Sequence, residues 1–245
     1  MLAVPQTWTV RARNLPEHAG NVIHTDAGAR AAGYPRALVA GVTTYAYLTH
    51  PIVAAWGLDW LAKGGGEVRF DAPVFEHDDV VCTPTVEDDA VVVEARCGDD
   101  VAPRATLRAV ADGGPPPPPG NGRRDGTRLT SRQIELADLW GVDYGERAGD
   151  DLDVYRRDGV VHPAVWPALA NRVVAADLVH GPWIHVRSVI RHHGLAPAGS
   201  VADVHAVVID RFRRRSGERA IVDVRIEIDG RPVASLEHEA IIALP

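Results

Sequence analysis

Five consecutive prolines at 115–119, preceded by Ala-Asp-Gly-Gly and followed by Gly-Asn-Gly, divide the chain near its middle. Proline fixes φ and has no N–H to donate, so this run cannot sit inside a helix or a sheet and behaves as a stiff, polar spacer. A docking peptide for a proline-binding partner is one use of such a run; a covalent bridge between two folded units is the one favoured here. The 245 residues then separate into a unit at 1–112, a linker at 113–126 and a unit at 127–245, each large enough to bury a core.

The two units follow one plan. In the first, a short β-prone segment at 7–12 leads through an irregular stretch at 14–26 to a segment in which Val42, Tyr45, Ala46, Leu48, Ile52, Val53 and Trp56 recur at helical spacing. Pro51 lies inside that pattern and predicts a kink near His50. After Lys63-Gly64-Gly65-Gly66, β-rich runs at 67–70, 79–83, 91–96 and 104–110 alternate with Pro, Gly and Asp turns, the spacing of an antiparallel meander. In the second unit an opening segment at 131–134 and an irregular stretch at 149–161 precede a helix from Pro163, with Pro167 awkwardly inside it. Strands at 183–190, 201–208, 220–228 and 232–242 follow, the last two joined by the hairpin dipeptide Asp229-Gly230. Helix then strands, twice, is a tandem α+β fold in which each curved sheet wraps a helix.

Composition narrows the partners. A formal net charge of -7 argues against nucleic acid, and the basic run Arg211-Phe212-Arg213-Arg214-Arg215 reads as an exposed strand end, with a contact to a phosphate-bearing ligand as the weaker alternative. No apolar run reaches the roughly 20 residues of a membrane span, and the start lacks the basic flank and apolar region of a signal peptide, so a cytoplasmic protein is expected. Cys82 and Cys97 fall in strand-like runs and read as buried, reduced thiols. No Cys or His pairs at metal-ligand spacing occur outside His192-His193, and adjacent strand residues point to opposite faces, so that doublet reads as a solvated strand end. Neither a metal nor a cofactor is expected.

The chemistry-bearing stretch is Asn21-Val22-Ile23-His24-Thr25-Asp26, just upstream of the long helix. A histidine between an amide and a carboxylate, near the amino end of a helix with free N–H groups, suits a general base beside a site for an anionic oxygen. The plainer readings are a histidine that ties the loop to the sheet, a turn role for Asn21, helix capping for Asp26, and close packing for Gly41. Asp150, Asp151 and Asp153 read as an exposed acidic loop, and Tyr155 as a packed ring with a wet hydroxyl.

The pattern Asn21-x-Ile23-His24-x-Asp26, with Gly33, then Leu38-Val39-x-Gly41-Val42, Phe70-x-x-Pro73-Val74 and Asp78-Asp79-Val80, resembles the MaoC-like, (R)-specific enoyl-CoA hydratase family of hot dog folds. Two units in one chain resemble a double hot dog, and the likeness spans nearly the whole length. The resemblance implies addition of water to an enoyl thioester of coenzyme A or a carrier protein, with room for a homodimer of such chains. Carried over residue by residue, the histidine is His24, the water-orienting asparagine is Asn21, and the glycine whose N–H meets the thioester oxygen is Gly41. The family's aspartate, five residues before the histidine, is replaced by Ala19, and a histidine common before the glycine is replaced by Ala40. In the second unit Asp150 occupies the carboxylate position and Tyr155 the histidine position. Asp26, Asp150 and Tyr155 are thus the auxiliary candidates, and restoring aspartate at position 19 is expected to raise hydration if the pocket is a hydratase that lost its acid. Three readings stand open: a hydratase or dehydratase with an altered dyad, a hot dog thioesterase, and an acyl-binding module without catalysis.

Overall fold

A computed structural model describes residues 3–118 and 124–245. Part of the linker, residues 119–123, lies outside the described residues. Ten strands form one antiparallel sheet: β1 Trp8–Arg11, β2 Gly65–Phe70, β3 Asp79–Val86, β4 Val91–Cys97, β5 Ala105–Val110, β6 Arg132–Glu135, β7 Ile184–His192, β8 Val201–Arg214, β9 Gly217–Ile228 and β10 Arg231–Ala243. Their order, β1-β3-β4-β5-β2-β7-β10-β9-β8-β6, reads the same from either end once β6 and β7 are matched with β1 and β2. The seam between the two halves is the β2–β7 ladder, from Gly65 opposite Arg191 to Arg69 opposite Arg187.

Each half wraps a helix. The α-helices are α1 Asp26–Ala31, α2 Gly41–Lys63, α3 Tyr144–Ala148, α4 Val154–Asp158 and α5 Val165–Leu178. Helix α2 packs on β2, β3, β4, β5 and β7, and α5 on β7, β8, β9 and β10. Every residue of α2 from Val42 to Val53 is buried, because sheet and second-half elements surround it on all sides. Strand β4 alternates buried and half-buried residues along its whole length, as one face on a core requires.

The proline readings need correction. Helix α2 does not break at Pro51; its non-helical residue is Gly57, at φ 53° and ψ -143°. Proline's fixed φ is itself helical and its cost is a missing hydrogen bond, which close packing offsets, whereas positive φ is open to glycine. Pro167 is the third residue of α5, where the N–H would have no intrahelical acceptor in any case. Asp229 and Gly230 take φ 50° and 70°, the left-handed pair of a tight hairpin. The His192-His193 doublet is not a solvated strand end: His192 is 1% exposed and bonded through Nδ1 to the Trp60 carbonyl at 2.9 Å, and His193 is half-buried against Ser235. The strand runs two residues past the expected end, which keeps His192 inside the sheet and His193 at its end, with its N–H on the Val233 carbonyl. Cys82 and Cys97 are buried free thiols, and the arginines at 211–214 end β8 as the exposed shoulder of the β8–β9 hairpin. The linker does not run free throughout, since Pro117 accepts a hydrogen bond from Arg225 at 2.6 Å. No helix among the described residues is long and apolar enough to cross a membrane.

The seam tolerates no side chain on its glycines. A Cβ at Gly65 would sit 2.5 Å from the Ile190 carbonyl oxygen on β7. Gly65→Val is therefore expected to lower stability by about 1–3 kcal/mol, read as a fall in the denaturant midpoint; an unchanged midpoint would show that the seam can spread.

Candidate active site

The motif loop between β1 and α2 is built from two 3₁₀ turns, Pro16–His18 and Val22–His24. Its short side chains and repeated i→i+3 backbone bonds, such as Asn21 N–H to His18 O at 3.1 Å and Thr25 N–H to Val22 O at 3.0 Å, fold it back on itself. Thr25, rather than Asp26, caps α1, accepting from Gly28 N–H at 3.2 Å. Asp26 is the first helical residue; its Oδ1 accepts from Ala37 N–H at 2.9 Å and its Oδ2 from Arg30 at 2.9 Å, which ties the loop to the chain entering α2. The Asp26 carboxylate has its pKa lowered, first by the Ala37 hydrogen bond, and it does not line the cavity described next.

That cavity, about 620 Å³, lies between the two halves. Glu17, His18, Asn21, His24 and Gly41 come to it from the first half; Trp140, Asn171 and His185 come from the second. His24 Nδ1 donates to the Leu38 carbonyl at 2.8 Å, which fixes the tautomer and leaves Nε2 with its lone pair and no partner among the described residues. Burial lowers the His24 pKa, partly offset by the Leu38 bond, so the ring is neutral at pH 7. Asn21 Nδ2 donates to the Trp183 carbonyl at 2.8 Å, across the two halves, and its Oδ1 is buried without a partner. Gly41 opens α2 behind Ala40, which provides no side-chain cap, so its N–H is free of a helical acceptor.

The structure also brings in residues that the sequence did not single out. Glu17 has a side chain 1% exposed, pairs through Oε1 with Arg147 of α3 at 2.5 Å, and leaves Oε2 buried without a partner. His18 lies 6.4 Å from His24, ring to ring, with Nε2 3.5 Å from the Tyr144 hydroxyl; burial, then His24 and Arg147, push its pKa down to about 3. Neither lies in a periodic segment, so no pattern marks them. His185 did leave a signal, an imidazole at a core-facing position of β7. Ala19, in contrast, is exposed and outside the cavity lining, so a carboxylate there would face solvent.

Asp150 and Tyr155 do not join His24; they form a separate buried cluster. Asp150 is 4% exposed, unlike Asp151 and Asp153, which stand exposed as expected, because its carboxylate turns in to Leu152, Tyr155 and His162. Its Oδ1 accepts from Leu152 N–H at 2.8 Å and its Oδ2 from His162 Nε2 at 3.2 Å and the Tyr155 hydroxyl at 3.4 Å. His162 Nδ1 accepts from Ala164 N–H at 3.0 Å, so Nε2 must be the protonated nitrogen. The Tyr155 hydroxyl is dry: burial, and then the Asp150 charge, raise its pKa well above the usual value. His50, stacked on Trp8 at 3.9 Å, adds Nε2 to Asp151 at 2.7 Å. His50, Asp150 and Asp151 hold ligand-type atoms within 4.8 Å of one another, and those atoms already bond to one another and to the backbone.

A ten-stranded sheet of two halves with the same strand order, wrapped around two helices and with a cavity between the halves, defines a double hot dog. No protein-family model matches the chain, and no curated protein matches it in sequence. Solved structures do match. A conserved hypothetical protein of Mycobacterium tuberculosis, essential for survival during infection and described as a double hot dog fold, superposes with TM-score 0.66 at 11% identity, covering 98% of this chain and 96% of its own. A MaoC domain protein from Chloroflexus aurantiacus J-10-fl, named as a dehydratase, gives TM-score 0.64 at 13% identity over 97% and 95% of the two chains. The dehydratase domain of PpsC from Mycobacterium tuberculosis, in complex with C12:1-CoA, gives 0.58 at 13% identity over 97% and 93%. At these identities the likeness is one of fold: the chain is an α+β double hot dog protein, similar over its full length to MaoC-like dehydratases.

Proposed function

We propose that the chain is an acyl-thioester hydratase or dehydratase with His24 as general base. The observation that carries this reading is the His24 tautomer, which presents a neutral Nε2 lone pair to the inter-half cavity. A hydration needs a base for water, acceptors that orient it, and a donor for the charge that develops on the thioester oxygen. His24 Nε2 takes a proton from water as its oxygen bonds to the β-carbon. The water's other hydrogen is held by Asn21 Oδ1 or by Glu17 Oε2, both buried without partners. Gly41 N–H meets the thioester oxygen, and the His24 proton is returned to the α-carbon, so one histidine closes the proton balance without a second acid. Glu17 takes the supporting place first considered for Asp26. The C12:1-CoA bound to the PpsC domain supports an acyl-CoA or carrier-bound thioester as the substrate class.

The test is turnover on a panel of enoyl-, 3-hydroxyacyl- and saturated acyl-CoA thioesters. Interconversion of the first two is expected; release of free coenzyme A from the saturated members would favour a thioesterase, and binding without turnover an acyl-binding module. The pH profile has a defined sign. Because the His24 pKa lies below 6.5, kcat/KM should be flat through neutral pH and fall only as acid protonates Nε2; a base limb centred above pH 7 would contradict His24 as the base.

A further inference from the structure

We propose that His185 is a second donor at the thioester oxygen, sharing it with Gly41, and that Ser188 and His238 are positioning residues that set the His185 tautomer. This inference rests on the functional reading above and adds a second-half residue to the site.

His185 begins the inward face of β7, two residues after Trp183, whose carbonyl holds Asn21. It lines the same cavity as His24 and is 5% exposed. Its Nδ1 edge faces the start of α2: a Cβ built on Gly41 would lie 3.3 Å from Nδ1. That Nδ1 is buried and unpartnered. The absence of a side chain at Gly41 thus leaves a gap bounded by a free helix N–H, an unpaired imidazole nitrogen and the Phe70 ring, whose centroid is 4.7 Å from that of His185.

The far edge of the ring decides which nitrogen carries the proton. His185 Nε2 is 2.8 Å from Ser188 Oγ, and Ser188 Oγ is 2.9 Å from His238 Nδ1, the two rings lying 4.2 Å apart. Ser188 and His238 are fully buried. A hydroxyl has one hydrogen, so of the two imidazole nitrogens one donates to it and the other accepts from it. If His185 Nε2–H donates, His238 carries its proton on Nε2, a buried N–H with no acceptor, and His185 Nδ1 is a bare acceptor. If His238 Nδ1–H donates, Ser188 donates to His185 Nε2, the only buried orphan at His238 is an acceptor, and His185 Nδ1–H points at the cavity. Each setting leaves one buried N–H without a protein acceptor; in the first it lies on His238, which does not line the cavity, and in the second on His185, which does and can be satisfied there by a bound oxygen, so the second setting is favoured. Both rings are neutral: burial and then the His238 ring hold the His185 pKa well below the usual value, offset in part by the Arg187 backbone, and burial takes that of His238 to about 3. The donor is therefore a neutral imidazole, and no proton transfer through the serine is required.

Two measurements on the full chain separate this inference from the functional reading. Long-range ¹H–¹⁵N spectra of the free protein labelled at histidine nitrogen should show His185 as the Nδ1–H tautomer, shifting to Nε2–H in part of the population in Ser188→Ala. An Nε2–H tautomer in the unaltered chain overturns the role of His185 whatever the substrate. Acetoacetyl-CoA, whose dicarbonyl forms an enolate, then probes the oxyanion site by its enolate absorbance. His185→Phe is expected to weaken enolate binding, and any enoyl-CoA hydration, by 10²–10³-fold, the usual loss for one donor of an oxyanion site. His185→Asn, which retains an N–H near the Nδ1 position, should stay within about tenfold of the unaltered chain, guarding against a loss that only reflects misfolding. Equal losses in both variants, or none in His185→Phe, overturn the inference. If the unaltered chain binds no thioester while His185 is the Nδ1–H tautomer, the functional reading fails and takes the thioester oxygen with it.

Discussion

His24→Ala is expected to lower turnover on the preferred thioester by about 10²–10⁴-fold in kcat, with the fold intact. The size of the loss follows from the lone base: no other imidazole among the described residues lining the cavity presents an acceptor nitrogen in a fixed tautomer, since His18 lies toward Tyr144 and His185 toward Ser188. The fold survives because the ring is half-buried and its hydrogen bond is to a carbonyl that can rebond to water. Glu17→Gln keeps the size and polarity of the water-orienting group but loses its charge against Arg147, so a smaller fall in kcat is expected there, with KM little changed. Ala19→Asp is expected to leave turnover as it is, because position 19 faces solvent. A rise in hydration in Ala19→Asp would mean that the loop rearranges to bring that carboxylate in, and undiminished turnover in His24→Ala would remove His24 from the mechanism.

The tandem plan was legible because it rests on local chemistry: the proline run, the period of 2 in β4 and β9, and the Asp229-Gly230 turn each carry their own geometry. What stayed hidden was long-range. Nothing in 14–26 tells that Glu17 turns inward to Arg147, 130 residues away, while Ala19 turns out, because 3₁₀ turns in an irregular stretch have no period to read. Asp150 was misread for a related reason: composition marks the acidic stretch as solvated, which holds for Asp151 and Asp153, and only the return of Tyr155 and His162 to its carboxylate makes Asp150 a core residue. His24 and Asn21 were found from their own motif, yet the cavity they face is closed by the second half, so the site's shape could not be read from the motif that names it.

Asp150→Ala should be the most destabilising of the site-region substitutions, by about 3–5 kcal/mol, because it removes one member of a buried, hydrogen-bonded pair and leaves its partners unmatched. The His162 Nε2–H, the Tyr155 hydroxyl and the Leu152 N–H would all lose their acceptor in a region too closely packed for water to replace it. The pH dependence supplies an independent check. Burial alone would raise the Asp150 pKa, but the hydrogen bonds it accepts from His162 Nε2–H and from Leu152 N–H outweigh it and leave it below the ordinary aspartate value. The unfolded chain therefore binds the proton more readily, so Asp150 contributes stability that is fully present above the ordinary aspartate range and is lost as pH falls through the lowered folded value. Denaturant melts of the unaltered chain should lose stability over that acid window more steeply than those of Asp150→Asn, which has no carboxyl to titrate. Asp150→Asn should also keep the substrate chemistry of His24, since the cluster lies outside the cavity. A variant that melts normally but fails to turn over substrate would place Asp150 in catalysis and make the cluster part of the site.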